Sequence, residues 1–570
     1  MTALVLGPLV RYVDHAFATI WLETDESDVV TVAVAGRTWS ARTFAVHGHH
    51  YALVEVDGLE PGTVSPYTVW LGEGDSRRAV WPDTNSHAET ALQLPASVIS
   101  TLPPQRSPRL AFGSCRTSVS NDAEGNRVHG VDSMRAYALA MAGVTSTSDP
   151  QRWPDMLVLL GDQVYADETP QEMQEFISSR RSIEEPPGKE LKDFEEYAHL
   201  YYLAWSDPAN RWLLSTLPST MIFDDHDIRD DWNTSAAWRE EMEQTEWWQG
   251  RIVAGLASYW VYQHLGNLSA AALAEDEIWR IVAAHEGPDE LDLTDELDRF
   301  ADRVNRQPDS YRWSYSRDLN GSRLVVVDSR AARVLEHDDR QMLDPRELSW
   351  LDEQLSGDID HLFIGTSLPF LLPAGLQHLE AFSEALAAGA WGRRTRRLGE
   401  ALRQGVDLEH WGAFQESFRA VSEMVVQVAA GERGRAPKTV TFLSGDVHHS
   451  YVSEVTRLHE GDARALQSRL LQVVCSPIRN PLPRSMRYAT AALSYGVAAG
   501  LGAVAARSAH VARPPFQWKR VRGPWFENNL ATLEVTDDAV EFWWARGEVT
   551  DDGDEHPRLT RVAEVRIDTA

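Results

Sequence analysis

An α/β fold preceded by a small all-β sandwich is what the sequence predicts, on three observations. The first hundred residues carry short β-branched and aromatic runs broken by glycine and proline. Beyond a Pro-bearing stretch, apolar runs recur and each ends in a cluster of polar residues. Helical text fills the intervals between those runs. A chain of 570 residues also exceeds the roughly 250–300 residues at which one core stops growing, so two or more folded units are expected.

Taken in order, Ala16–Leu22 and Val29–Val34 read as strands, punctuated by Gly36, Gly58, Pro61 and Gly62. The corner Leu59-Glu60-Pro61-Gly62-Thr63 followed by Tyr67 resembles that of fibronectin-type sandwiches, which places a β-sandwich over residues 1–100. Leu102–Pro108 reads as a linker. The runs Arg109–Cys115, Met156–Asp162, Met221–His226, Leu324–Arg330, Leu362–Ser367 and Val440–Asp446 are continuous apolar text, as strands buried on both faces require. They assign residues 109–570 to a second unit. Asp344-Pro345-Arg346-Glu347 opens a helix with an N-cap, a proline at the first position and a glutamate at the third, and Leu348, Leu351 and Leu355 give its apolar stripe. The acidic stretch from about 168 to 302 is helical in pattern and rich in tryptophan. It reads as an insertion bordering the strand ends, with most of its tryptophans serving as core.

Composition excludes several classes. With 43% hydrophobic and 24% charged residues the chain is an ordinary soluble globular protein. Its formal net charge of -31 disfavours non-specific binding to nucleic acid or anionic lipid, yet leaves room for a local positive site. Two cysteines, Cys115 and Cys475, cannot build a disulfide framework. The N-terminus lacks a basic region and is interrupted by Arg11, Asp14 and His15, so no signal peptide is expected and the cytoplasm is the default location. Tyr488–Ala506 is uncharged but dominated by Ala and Gly, which predicts a buried hairpin or a pair of small-residue helices rather than a membrane span.

The chemistry lies at the strand ends. Asp162, Asp225, His226, Asp446 and His448 are hard-oxygen and imidazole donors, and Cys115 is a thiolate donor, each just past a buried strand. Acids brought together this way repel one another unless a cation neutralises them, so a multivalent metal centre is the simplest resolution. In Gly161-Asp162-Gln163-Val164-Tyr165 a phenol follows the carboxylate by three residues. In Gly445-Asp446-Val447-His448 a carboxylate and an imidazole two apart share one side of an extended chain.

These motifs, with Phe112-Gly113-Ser114-Cys115 and Phe223-Asp224-Asp225-His226-Asp227 in the same chain order, resemble the PhoD-like metallophosphatases, a branch of the calcineurin-like phosphoesterases. Cys475-Ser476-Pro477 and Phe526-Glu527-Asn528-Asn529 are similar to the same family. The resemblance implies a four-layer αββα core with metals at the strand ends. It implies a ferric ion on Cys115, Asp162, Tyr165 and His448, and calcium alongside, sharing Asp162 with Asp446 and a residue of the Asp-rich stretch. Where the family carries asparagines this chain has Asp230 and Asp231, so the second-metal ligand is Asp225, with Asp230 in reserve. Thiolate and phenolate suit Fe(III), and carboxylates suit calcium.

The implied activity is hydrolysis of a small phosphate ester, monoester or diester, by a cation-generated hydroxide attacking in line. His226 would stabilise the transition state or protonate the leaving oxygen. Arg116 is a candidate phosphate fork or else a turn residue. His449, Arg479 and Asn480 are weaker candidates for substrate contact. A phospholipase or diesterase on the same core and a non-catalytic binding protein are the competing classes. No nucleic-acid or membrane partner is expected.

Overall fold

The computed structural model describes residues 2–82, 92–147, 153–336, 339–392, 395, 399, 408–459, 461–483, 487, 497–550 and 553–569. The sandwich begins the chain. One of its sheets runs Leu4–Val13, Ala18–Thr24, His49–Val56 and Phe44–Val46. The other runs Arg37–Arg42, Val29–Val34, Val64–Leu71 and Arg78–Trp81, with Val98–Ser100 against Val64–Leu71. Val10, Ile20, Val32, Val54 and Val69 close its core. The alternate residues of the first sheet, among them Trp21, Tyr51 and Phe44, are buried too, because that face packs on the helical stretch. Leu291–Asp292 from the helical stretch even joins this sheet, parallel to Phe44–Val46. Arg11 reaches across, donating to the carbonyls of Tyr262 (2.6 Å) and Gln263 (2.7 Å) at a π-helical turn. That satisfies backbone groups which burial would otherwise orphan.

Two larger sheets stack to form the αββα core. The first has the order Ser219–Ile222, Met156–Leu160, Leu110–Gly113, Leu530–Val535, Ala539–Thr550 and Gly553–Asp568. The second has the order Tyr315–Leu319, Ser322–Val327, His361–Thr366, Thr439–Ser444, Arg469–Val474, Ser450–Leu458 and Phe516–Trp525. Ser219–Ile222, Met156–Leu160 and Leu110–Gly113 at one end of the first sheet are parallel, as are Ser322–Val327, His361–Thr366, Thr439–Ser444 and Arg469–Val474 in the middle of the second. Period-two alternation builds the layers. Leu324 and Val326 face the first sheet, while Val325 and Val327 face Leu351, Phe418 and Val425 of the outer helices Pro345–Gln354 and Gln415–Ala429. Asp344 caps the former, accepting from the N–H groups of Arg346 (2.7 Å) and Glu347 (3.1 Å). Across the first sheet, Tyr137 of helix Ser133–Met141 stacks on Trp543 at 5.9 Å.

The tryptophan-rich stretch is helical, but the core strand Ser219–Ile222 divides it, so the text on either side packs as separate helical segments. Trp205, Trp232 and Trp260 are buried, as core residues should be. Of Tyr488–Ala506, residues 488–496 lie outside the described residues; the remainder falls in the helix Val497–Ser508. Among the described residues no helix is long and apolar enough to cross a membrane.

Candidate metal centre

The parallel strands of both sheets end at one crevice. Leu110–Gly113 hands over to Ser114 and Cys115, Met156–Leu160 to Asp162, Ser219–Ile222 to the run Asp224–Asp227, and Thr439–Ser444 to Asp446 and His448. Cys115 (φ 57°), Asp162 (46°), Asp446 (61°) and His448 (49°) all occupy the left-handed region. Non-glycine residues adopt it at a cost and hold it only where the surroundings over-determine the turn. Here they do: the Asp446 N–H donates to Ser114 Oγ (3.0 Å) and the His448 N–H to Ser476 Oγ (3.2 Å), tying loops of different strands together.

The turns gather donors. One atom each from Cys115, Asp162 and His448 lies within 4.8 Å of the others, and the same holds for Asp162, Asp224, Asp225 and Asp446. Asp162 belongs to both groups. Tyr165 Oη donates to Asp162 Oδ2 at 3.3 Å and touches Cys115. The hydroxyls of Ser114 (3.1 Å) and Ser476 (3.2 Å) flank the Cys115 sulfur.

Electrostatics say what such a cluster needs. Burial above all, then Asp224, Asp225 and Asp227, pushes the Asp162 carboxyl far above its usual range, against the pull of His226. Asp224 is pushed up to about 8 by burial and by Asp225 and Asp446, with Arg330 opposing. Burial, Asp162 and Asp446 likewise raise the Cys115 thiol, and burial, Cys115 and Asp162 raise the Tyr165 phenol. Asp162 Oδ1 and Asp224 Oδ2 are buried without a hydrogen-bond partner. Orphaned acceptors of one sign facing one another fit multivalent cations, which would restore the ionised forms. A thiol, a phenol, an imidazole and a carboxylate make one donor set, and four carboxylates the other.

A supporting layer orients these donors. Arg330, fully buried, donates through Nε to Asp224 Oδ1 and through Nη1 to Glu409 Oε2, and its Nη2 lies 3.1 Å from Asp225 Oδ1. His410 holds Asp446 Oδ2 at 2.9 Å through Nε2 and Glu380 Oε1 at 2.7 Å through Nδ1. Burial opposes ionisation of Asp446, yet its bond to His410 keeps that carboxyl down at about 2. His226 turns Nδ1 to the Asp167 carboxylate, 2.9 Å away. Burial would strip the His226 proton, but Asp167 and Asp225 overrule it and raise the imidazole well above its ordinary value. Asp224, Arg330, Glu409, His410, Glu380 and Asp167 escaped the sequence reading as site residues. Of these, Asp224, inside the Asp-rich motif, and Arg330, which ends an apolar run as the donors do, carried a usable signal.

Other expected residues sit elsewhere. Arg116 is buried and turned away from the donors: Nε and Nη2 donate to Asp132 Oδ2 (3.0 and 2.7 Å) and Nη1 to the Ala204 carbonyl (2.7 Å). Its guanidinium is thus committed to structure rather than presented as a phosphate fork. Asp230 lies outside the four-carboxylate group and its side chain is 67% exposed, but it forms a third group of candidate ligands with Asp225 and His226, whose Nε2 lies 3.9 Å away. Arg479 is spent on the carbonyls of Val119, Ser120 and Gly130. Buried His449 binds the Val447 carbonyl at 2.6 Å, and Cys475 packs against Asn529. Asn480 touches the Tyr165 side chain and, through its backbone, His448.

Comparison with known proteins bears on the family and the fold. Residues 133–499 match the model of the PhoD-like phosphatase family, and residues 1–93 match a domain of unknown function (DUF7800). The solved structure of PhoD superposes with a TM-score of 0.58 at 14% identity, covering 99% of this chain and 90% of that one, which shows the fold. A putative glycoside hydrolase from Bacteroides vulgatus reaches a TM-score of only 0.20 at 10% identity, covering 63% of this chain and 61% of its own. No curated protein matches the chain.

Proposed function

The chain belongs to the PhoD-like phosphatase family, and from that premise we propose how it hydrolyses a small phosphate ester. Cys115, Asp162, Tyr165 and His448 would hold a ferric ion, and Asp162, Asp224, Asp225 and Asp446 would hold calcium. Bound there, such a pair supplies Lewis-acid polarisation of the phosphoryl oxygens and activation of a water for in-line attack. The chain's own residues do the rest. Arg330 and His410 fix the carboxylates so that the unpartnered oxygens of Asp162 and Asp224 face inward. Ser114 and Ser476 aim hydroxyls at the Cys115 sulfur, an arrangement that favours thiolate. With Nδ1 engaged by Asp167, His226 directs Nε2 toward the partly open rim and gives a proton to the leaving oxygen. Exposed Asp230 on that rim disfavours polyanions and leaves small esters as substrates.

The observation that carries this reading is the membership of Asp162 in both donor groups, which lets one carboxylate bridge two cations. Elemental analysis of the purified protein with its visible spectrum, combined with turnover of mono- and bis-nitrophenyl phosphate, tests it. Iron with a second metal, and loss of the second metal in Asp225→Asn but not in Asp230→Asn, is the expected result. A metal-free, colourless, fully active protein would overturn it. The ratio of the two rates decides between monoester and diester.

A further inference from the structure

The strongest feature outside the metal centre is a break in the charge pattern. Between Ala463 and Phe526 the chain carries ten Arg and Lys and no Asp or Glu, although acids outnumber bases 85 to 54 over its length. Several of those cations are consumed by the fold, among them Arg464 by Glu423 and Asp462, Arg469 by Glu454, Arg479 by loop carbonyls and Arg487 by the Leu482 carbonyl. Arg507 and Arg513 are not. They line a pocket of about 310 Å³ with His378, His459, Phe516 and Trp518, and no carboxylate is among its lining residues. Neither arginine forms an ion pair among the described residues.

Apolar side chains surround this cationic pocket in the open. Val504, three residues before Arg507 on the helix Val497–Ser508, is 63% exposed. Trp391 is 52% exposed and donates Nε1 to the Ser508 carbonyl at the end of the same helix (3.1 Å). Val521, on the edge strand Phe516–Trp525, is exposed between Arg520 and Arg522. Isolated exposed apolar residues mean little, but Val504 and Trp391 lie on and beside the helix that carries Arg507.

We propose that this face, built from the helices Ala374–Ala387 and Val497–Ser508 and the strand Phe516–Trp525, docks the protein on an anionic lipid surface. Cations at headgroup level attract anionic lipid, and Trp and Val enter the boundary beneath. A nucleic acid would answer the arginines but leave Val504, Val521 and Trp391 in water, so lipid accounts for both halves of the patch. Outside residues 463–526 the chain carries 85 acids against 44 bases, which disfavours approach to such a membrane by the rest of the sequence. Total net charge argues against lipid binding because it averages over this segregation. Helix Ala374–Ala387 also carries Glu380, which holds His410, so the docking face lies one helix away from the metal centre. The inference does not depend on the phosphatase reading.

The test is cosedimentation of the full chain with vesicles of about 30% phosphatidylglycerol in phosphatidylcholine, against pure phosphatidylcholine, at about 0.1 M ionic strength. Binding to the anionic vesicles alone is expected, weakened about fivefold for each cation removed and so more than tenfold in Arg507→Glu/Arg513→Glu. Val504→Ser/Trp391→Ser should weaken it severalfold. Both double variants should keep the wild-type circular dichroism and the wild-type rate on soluble nitrophenyl phosphate. Absence of binding to anionic vesicles, or unchanged binding by the charge-reversed variant, overturns the proposal. So does tighter binding to a single-stranded oligonucleotide than to the vesicles, with the Val504→Ser/Trp391→Ser variant unaffected. An inactive wild type that still binds vesicles would count against the phosphatase reading and leave this one standing.

Discussion

His410 Nε2 lies 2.9 Å from Asp446 Oδ2 while its other nitrogen is held by buried Glu380, so one oxygen of a candidate metal ligand is fixed by a chain of two side chains. Groups that orient metal ligands typically contribute 10–100-fold to metal affinity or activity. His410→Ala should therefore lower affinity for the second cation by about that factor. Titration of chelated protein with calcium, read by calorimetry, checks it. Activity should return in excess calcium, because the ligand itself is intact. An affinity equal to wild type would show that Asp446 needs no such support.

A second consequence concerns the backbone. Gly161 sits at φ 104°, and a Cβ added there would come within 2.8 Å of Asp224 Cβ and 3.1 Å of Ser367 Cβ. The turn that presents Asp162 thus requires both left-handed freedom and close approach. Gly161→Ala should cost about 1–3 kcal/mol in strain and displace Asp224 from the carboxylate group. Gly36→Ala is the control, since Gly36 has a similar φ of 81° with nothing within 4 Å. Urea midpoints and metal content of the two variants should diverge; equal behaviour would mean that the crowding against Asp224 is relieved at no cost.

Much of this was legible because chemistry and topology coincide at strand ends. Apolar runs buried on both faces announce themselves, and the first polar residue past each run is placed by the strand rather than by distant contacts. Hence Cys115, Asp162, Asp225, Asp446 and His448 could be singled out. The supporting layer was not legible, because its pairings are set by the fold alone. Arg330 reaches Asp224 across 106 positions and His410 reaches Asp446 across 36. Arg116 shows the converse: adjacency to Cys115 in sequence did not predict direction, because Cys115 sits in a left-handed turn past the strand while the Arg116 guanidinium is drawn to Asp132 and the Ala204 carbonyl. The core strand Ser219–Ile222 was legible through the run Met221–His226, but its start was read two residues late because Ser219 and Thr220 are polar.

The thiolate assignment yields a spectroscopic prediction. With Ser114 and Ser476 hydroxyls 3.1 and 3.2 Å from the sulfur, Cys115 is flanked by two hydroxyl partners. Cys115→Ser should release or exchange the iron and abolish any visible charge-transfer band. Ser476→Ala should retain the iron and shift the band, because one hydrogen bond to the sulfur is lost. Parallel absorption spectra and iron determinations check both; full colour and activity in Cys115→Ser would remove the thiolate from the site.

The attachment of the sandwich to the helical stretch should depend on pH through His49. Its Nδ1 lies 2.8 Å from Glu23 and its Nε2 3.0 Å from Glu195 of the helical stretch, and His47 and His50 add contacts to Asp298 and Glu290. Burial would lower the His49 pKa, but the two glutamates outweigh it and raise the value above the ordinary 6.5. A group whose folded value is raised adds stability that is complete below its unfolded value and is lost as pH climbs through the folded one. His49→Asn should therefore cost about 1–3 kcal/mol near pH 6 and distinctly less near pH 9. Melting temperatures of the two proteins measured across that interval should converge as pH rises. A gap that stays constant would mean that His49 contributes through packing against Phe194 and Tyr51 rather than through its charge.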